Sequence, residues 1–202
     1  MHAEEQRIRI VILVGSVRPG NYTSKAAAIV ADELARDPRV TVEVVHPERY
    51  HLALPGMPAP DSRAEELQKL VAAAAAVVIA TPEYHGSFSA AIKLVIENLG
   101  FPSALAGKPV ALLGVAAGSI GAIKSIEALR GVVSHVGGLP LPMPVSLAHV
   151  QKLFAEDGAV LDAAAEKLLR RLAQSVMEYL GRHVCPALTL ERLLREGQAS
   201  VS

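Results

Sequence analysis

Tryptophan is absent from this 202-residue chain, and only three Phe and four Tyr occur. Its core must therefore be aliphatic, and with 51% apolar residues there is ample material for one. Cysteine occurs once, at Cys185. That excludes an internal disulfide framework and a cysteine-built zinc site. Cys185 has only His183 nearby in sequence as an activating partner and is read as incidental. An excess of either charge is missing too, since 20 Lys and Arg balance 20 Asp and Glu. This balance points away from nucleic acid, an anionic membrane or an acidic tail as partner. No apolar run reaches the roughly 18 residues of a membrane span. The opening MHAEEQRIRI lacks the basic and apolar blocks of a secretion signal. The expectation is a cytoplasmic protein with neither nucleic acid nor membrane as partner. His46, His51, His135, His149 and His183 are scattered without ligand spacing, so no metal site is expected. Three nucleotide or nucleophile signatures are also missing: the Walker lysine, Gly-x-Gly-x-x-Gly and Gly-x-Ser-x-Gly.

What the chain does have is a regular alternation of strand and helix. Apolar runs at 8–14, 40–46, 76–80, 109–116 and 139–147 read as strands. Helical periodicity covers 23–36, a segment opening at Asp61 or Ser62, 89–99, 120–136 despite Gly131, and a stretch from Gly158 to Leu180. Ser62 and Glu65 have the spacing of a capping box. In the last helix Leu161, Ala165, Leu168, Leu172, Val176 and Leu180 are expected to share the buried face. Pro140, Pro142 and Pro144 push the fifth strand to a sheet edge, and the half-alternating second strand belongs at the other. The pattern predicts an α/β protein of one domain with a doubly wound, five-stranded parallel sheet in order 2-1-3-4-5. In that order the switch point lies between strands one and three, so the loops after those strands flank one crevice.

Three loops at strand ends carry the chemistry. Gly15 to Ser24 combines the hydroxyls of Ser16, Thr23 and Ser24 with the cation Arg18 at a helix start. Such a set suits a phosphate dianion, and it equally suits an ordinary capped turn. Thr81 to Gly86 packs Pro82, Glu83, Tyr84, His85 and Gly86 into one short connection. Tyr84 is placed either to flank a flat ring or to pack on its own sheet, and His85 reads equally as a solvated loop residue. Glu83 is a candidate acid or a helix-dipole partner. Ala116 to Gly121 offers small residues for close approach of a ligand, or simply a compact turn.

Together these segments resemble the NADPH-dependent FMN reductase family, with its azoreductase-, quinone reductase- and chromate reductase-like members. The resemblance rests on Gly-Ser-Val-Arg-Pro-Gly from 15, Thr-Pro-Glu-Tyr-His-Gly-Ser-Phe-Ser-Ala-Ala-Ile-Lys from 81 and Gly-Lys-Pro-Val-Ala-Leu-Leu-Gly-Val from 107. It implies a flavodoxin-like FMN-binding domain over residues 1–182, with 183–202 as a C-terminal tail, helical or disordered. It also implies noncovalent FMN, NADPH or NADH as electron donor, a small-molecule acceptor, and a homodimer or homotetramer. Carried over by position, Ser16, Arg18, Asn21, Thr23 and Ser24 would hold the FMN phosphate. Pro82, Glu83, Tyr84, His85 and Gly86 would border the isoalloxazine and ribityl chain, and Ala117, Gly118 and Ser119 would close the other side. No catalytic side chain is expected, because the flavin carries the redox chemistry. The rival expectation is a flavodoxin-like electron carrier without NAD(P)H turnover. The neutral charge argues against it, since carriers are commonly acidic.

Overall fold

The computed structural model describes residues 7–186, 188, 189 and 191. Three strands form the centre of one sheet: β1 (Ile8–Val14), β3 (Ala76–Tyr84) and β5 (Pro109–Val115). Along each of them successive side chains enter opposite layers, as the two-residue period of a strand requires. Ile10, Ile12, Val78 and Leu113 pack with Val30 and Leu34 of α1 (Tyr22–Ala35) and with Leu169 and Val176 of α5 (Ala163–Tyr179). Val11, Leu13, Ile79 and Leu112 pack on the other face. Their partners are Leu67 of α2 (Ala64–Ala72), Val95 of α3 (Ala90–Glu97) and Leu129 of α4 (Ile123–His135). Burial on both faces is why these strands read as unbroken apolar runs.

The sheet order is β2-β1-β3-β5-β6, with β2 (Val40–Val45) at one edge and β6 (Leu139–Pro140) at the other. The doubly wound order is the one expected. The fifth strand differs: it is split into β6 and β7 (Val145–Leu147), both parallel to β5. Between them Met143 takes a φ of 60°. Prolines at 140, 142 and 144 cannot donate ladder bonds, so the strand pairs only where it begins and ends.

Three expectations about helices need correction. Helix α2 starts at Ala64 without a side-chain cap, and Ser62 only accepts from the N–H of Ala64 at 3.3 Å. The expected capping box does not form; Arg63 pairs with Glu66 instead. Helix α4 starts at Ile123, three residues later than the periodicity indicates, because Gly118–Ala122 forms a turn. Leu161 precedes α5 and is exposed, as is Leu168 within it, while Ala165, Leu172, Val176 and Leu180 of the expected face are buried together with Leu169 and Ala173. The helix is phased by its packing on α1, where Arg170 reaches Asp32 at 2.7 Å and Glu33 at 3.0 Å. Those carboxylates hold the Arg170 guanidinium well above its ordinary value, with Asp32 the first cause. A π-helical turn, Leu180–Val184, continues α5. The domain boundary expected after 182 falls inside that run, and residues 187, 190 and 192–202 of the expected tail lie outside the described residues. Among the described residues no helix is long and apolar enough to cross a membrane.

Candidate functional site

The register sets β1, β3 and β5 side by side, with Val14 opposite Ala80 and Pro82 opposite Val115. Their following loops therefore share the carboxyl edge of the sheet, at the point where strand order reverses. The first loop is locked to the second from its first residue. The Gly15 N–H donates to Ala80 O at 2.7 Å, and the Ser89 hydroxyl donates to Gly15 O at 2.6 Å. Only glycine fits there, because a Cβ would lie 2.5 Å from Ile92 Cγ1 and 2.9 Å from Ala80 O.

Asn21 shapes the rest of that loop. It caps α1, accepting from the Ser24 N–H at 2.7 Å, and its amide donates to Arg18 O at 2.7 Å and Ser16 O at 3.4 Å. Its polar atoms are thus engaged inside the loop. Thr23 is buried and Ser24 half-buried in the first helical turn. Ser16 is 3% exposed, and its hydroxyl has no hydrogen-bond partner among the described residues. An unpaired buried hydroxyl costs on the order of 1–3 kcal/mol, so Ser16 Oγ is poised for a polar partner from outside the chain. Arg18 is exposed, and its guanidinium lies 5.0 Å from the centre of the Tyr84 ring. This cation–π contact joins the two loops across the crevice.

The second loop is more ordered than a connector. The expected strand end at Ala80 is overtaken: β3 runs to Tyr84 and folds back onto β4 (Ser87–Phe88). Pro82 is tolerated because β1 has already ended and the pairing with β4 begins only at Glu83, leaving Pro82 itself a ladder partner on the β5 side alone. His85 and Gly86 form the two-residue turn with φ of 51° and 75°. Two left-handed residues are what tight hairpins favour. Thr81, fully buried, accepts from the Ser89 N–H at 3.1 Å. Ser89 also caps α3, accepting from the Ile92 N–H at 3.2 Å. The sequence marks Ser89 as a cap; its bond to Gly15, 74 residues away, has no sequence signal.

Glu83 settles into a structural role. Helix α4 has Ala122 at its cap position and no side-chain cap of its own. The Glu83 carboxylate accepts from the Ser125 N–H at 3.1 Å and fills that place. Glu83 thus joins the second loop to the helix that follows the third.

Ala117, Gly118 and Ser119 are exposed at the end of β5. Ala117 O accepts from the Gln151 side chain at 3.3 Å, and Gly118 O accepts from the His149 N–H at 3.2 Å. Gly121 has a φ of 77°, and a Cβ on it would come within 2.6 Å of Ser146 Oγ. Lys124 was not singled out by its sequence context. Its Cδ lies 3.6 Å from the place a Cβ on Gly86 would take.

The structure thus gathers the three predicted segments on one edge. Among the described residues no cluster of three or more His, Cys, Asp or Glu is placed to hold a metal. A pocket of about 300 Å³ lies elsewhere, between α5 and Leu141–Val145, and shares no residue with the three loops. The donor set of the first loop fits a phosphate: a buried hydroxyl without a partner, a cation free of carboxylates and the start of a helix.

Comparison with known proteins agrees with this geometry. A family profile described as NADPH-dependent FMN reductase matches residues 8–152. The NAD(P)H-dependent FMN reductase of Pseudomonas aeruginosa is 28% identical over 186 residues, covering 87% of this chain and 96% of that protein. An NADPH azoreductase from a Bacillus species is 28% identical over 181 residues, covering 86% of this chain and 93% of that protein. Among solved structures, the flavoenzyme NAD(P)H:(acceptor) oxidoreductase FerB from Paracoccus denitrificans superposes with a TM-score of 0.70 at 27% identity. That match spans 87% of this chain and 98% of FerB. With a profile match over most of its length and a sheet wound in the flavodoxin-like order, the chain belongs to the NADPH-dependent FMN reductase family.

Proposed function

We propose that the crevice between the Gly15–Ser24 loop and the Tyr84–Gly86 hairpin holds FMN. There the protein passes electrons from NAD(P)H to a small-molecule acceptor such as a quinone, an azo compound, free flavin or a metal oxyanion. The observation that carries this reading is Ser16 Oγ, buried in the loop that leads into α1 and, among the described residues, without a partner, two residues from an Arg18 that no carboxylate pairs there. A phosphate oxygen satisfies that hydroxyl and the first free N–H groups of the helix together. Bound FMN supplies the hydride and electron chemistry. The chain supplies placement and electrostatics.

In this reading Arg18, Thr23 and Ser24 complete the phosphate site, and Asn21 fixes the loop that presents it. Tyr84, His85 and Gly86 border the isoalloxazine from the β3 side, with Pro82 behind them and Glu83 as a brace. Ala117, Gly118 and Ser119 border it from the β5 side. No side chain is assigned a proton transfer. A homodimer or homotetramer is the assembly we infer, and Phe101, fully exposed beside the α3–α4 face, marks apolar surface available to a second copy. We place the protein in the cytoplasm, where reduced nicotinamide donors are held.

A flavin titration tests the phosphate site. FMN is expected to bind at least about tenfold more tightly than riboflavin, the scale of one charge-assisted contact. The Ser16→Ala variant is expected to lose part of that advantage. Equal affinities for FMN and riboflavin in the unaltered protein would remove the first loop from the site. Steady-state NADPH oxidation separates a reductase from an electron carrier, which would bind FMN without turnover.

A further inference from the structure

Lys124 occupies the second position of α4, the helix that follows the third loop, and approaches Gly86 of the hairpin whose Tyr84 lies under Arg18. Its Cδ lies 3.6 Å from the place a Cβ on Gly86 would take, so the bare Cα of that glycine leaves the lysine room against the hairpin. A cation in a first helical turn opposes the helix dipole and is disfavoured there. The carboxylate that would suit this place is already present: Glu83 fills the start of α4 through the Ser125 N–H. Among the described residues the exposed Lys124 ammonium has no carboxylate partner and no hydrogen-bond acceptor. Beside it Ile120 and Ile123 expose 74% and 42% of their surface. An unpaired cation set among exposed aliphatic groups suits a ligand that carries both a phosphate and a flat ring.

Arg18 and Lys124 thus approach the hairpin from two different elements, and the single phosphate of FMN needs only one of them. The second ligand of the reaction, the nicotinamide donor, brings a pyrophosphate, and in NADPH a 2′-phosphate as well. We propose that Lys124 is the donor-binding residue of this site, pairing with a phosphate of NAD(P)H. This rests on the reading that FMN lies between the two walls. Lys124 sets how tightly the donor binds and takes no part in hydride transfer. Its place on a helix start tied to the hairpin by Glu83 holds it at a fixed height above Gly86.

The test uses FMN-loaded protein with Lys124 unaltered, Lys124→Ala or Lys124→Arg, titrated calorimetrically with NADP+ and NAD+ and assayed with NADPH and NADH. Lys124→Ala is expected to weaken NADP+ binding and raise the KM for NADPH by about three- to tenfold, the scale of a partly exposed charge pair. Its kcat and FMN affinity stay unchanged, and Lys124→Arg restores donor binding. A loss confined to NADP+ and NADPH assigns Lys124 to the 2′-phosphate, and an equal loss with NAD+ and NADH assigns it to the pyrophosphate. Unchanged binding of both nucleotides overturns the proposal. So does a fall in FMN affinity, which would place Lys124 at the cofactor. Failure of the crevice reading appears separately, as FMN affinity that Ser16→Ala and Arg18→Ala leave unmoved whatever Lys124 does.

Discussion

The two walls of the crevice are built differently. The β1 wall carries its own cap: Asn21 spends its polar atoms on the loop and on α1, Ser16 is buried, and Gly15 is tied to Ala80 O and the Ser89 hydroxyl. The β5 wall is exposed from Ala117 to Ile120, as the β1 wall is from Val17 to Gly20, and its helix start is held by other segments. Glu83 caps its helix, Ser146 Oγ accepts from the Ala122 N–H at 2.8 Å, and residues 149–151 hold its carbonyls. A wall with its own helix cap and a buried hydroxyl at its base suits a ligand held through many turnovers. A wall whose helix start is capped only from a neighbouring loop suits one that exchanges on every cycle.

The strongest way to break this contrast is to overfill the braced wall. Gly15→Val forces side-chain atoms into Ile92 and Ala80 O. It should destabilise the protein by about 3 kcal/mol or prevent folding. Chemical denaturation measures the loss; a variant of unaltered stability would show that the wall yields. Arg18→Ala leaves the brace intact and removes only the cation. It should weaken FMN binding by about 1.5–3 kcal/mol with little change in stability. Unchanged affinity in a flavin titration would take Arg18 out of the phosphate site. The smallest effect is expected at the other wall. Glu83→Ala uncaps α4 and should cost about 1 kcal/mol of stability. FMN affinity should hold while donor binding weakens, because Lys124 rides on that helix. A larger loss of FMN than of donor would show that the walls are not independent.

Much of the fold was legible in the chain. The runs at Ile8–Val14 and Pro109–Val115 are apolar because both faces of these strands are covered, and that pattern needs no partner to be read. Three prolines forecast an edge at 139–147 but not where the strand breaks, which is at Met143 between the two short stretches that pair with β5. Two positions of the α5 stripe were misplaced, because Leu161 and Leu168 are as apolar as Leu169. Only the seat on α1 chooses between the faces. The extent of β3 was likewise hidden. Thr81-Pro82-Glu83-Tyr84 has the composition of a loop, and it is drawn into the sheet by its pairing with β5 and β4.

At the site, sequence alone named the three loops, the phosphate-like donor set of the first and the family they resemble. Those features are local: residue types at fixed spacing after a strand end. Tertiary structure decided their roles. It left Ser16 Oγ without a partner and turned Glu83 into the cap of a helix 42 residues away. It also made Ser89 the staple between two loops, and laid Lys124 across Gly86. Each of these depends on contacts between segments distant in the chain. The spacing of residues along one strand or helix carries no record of them.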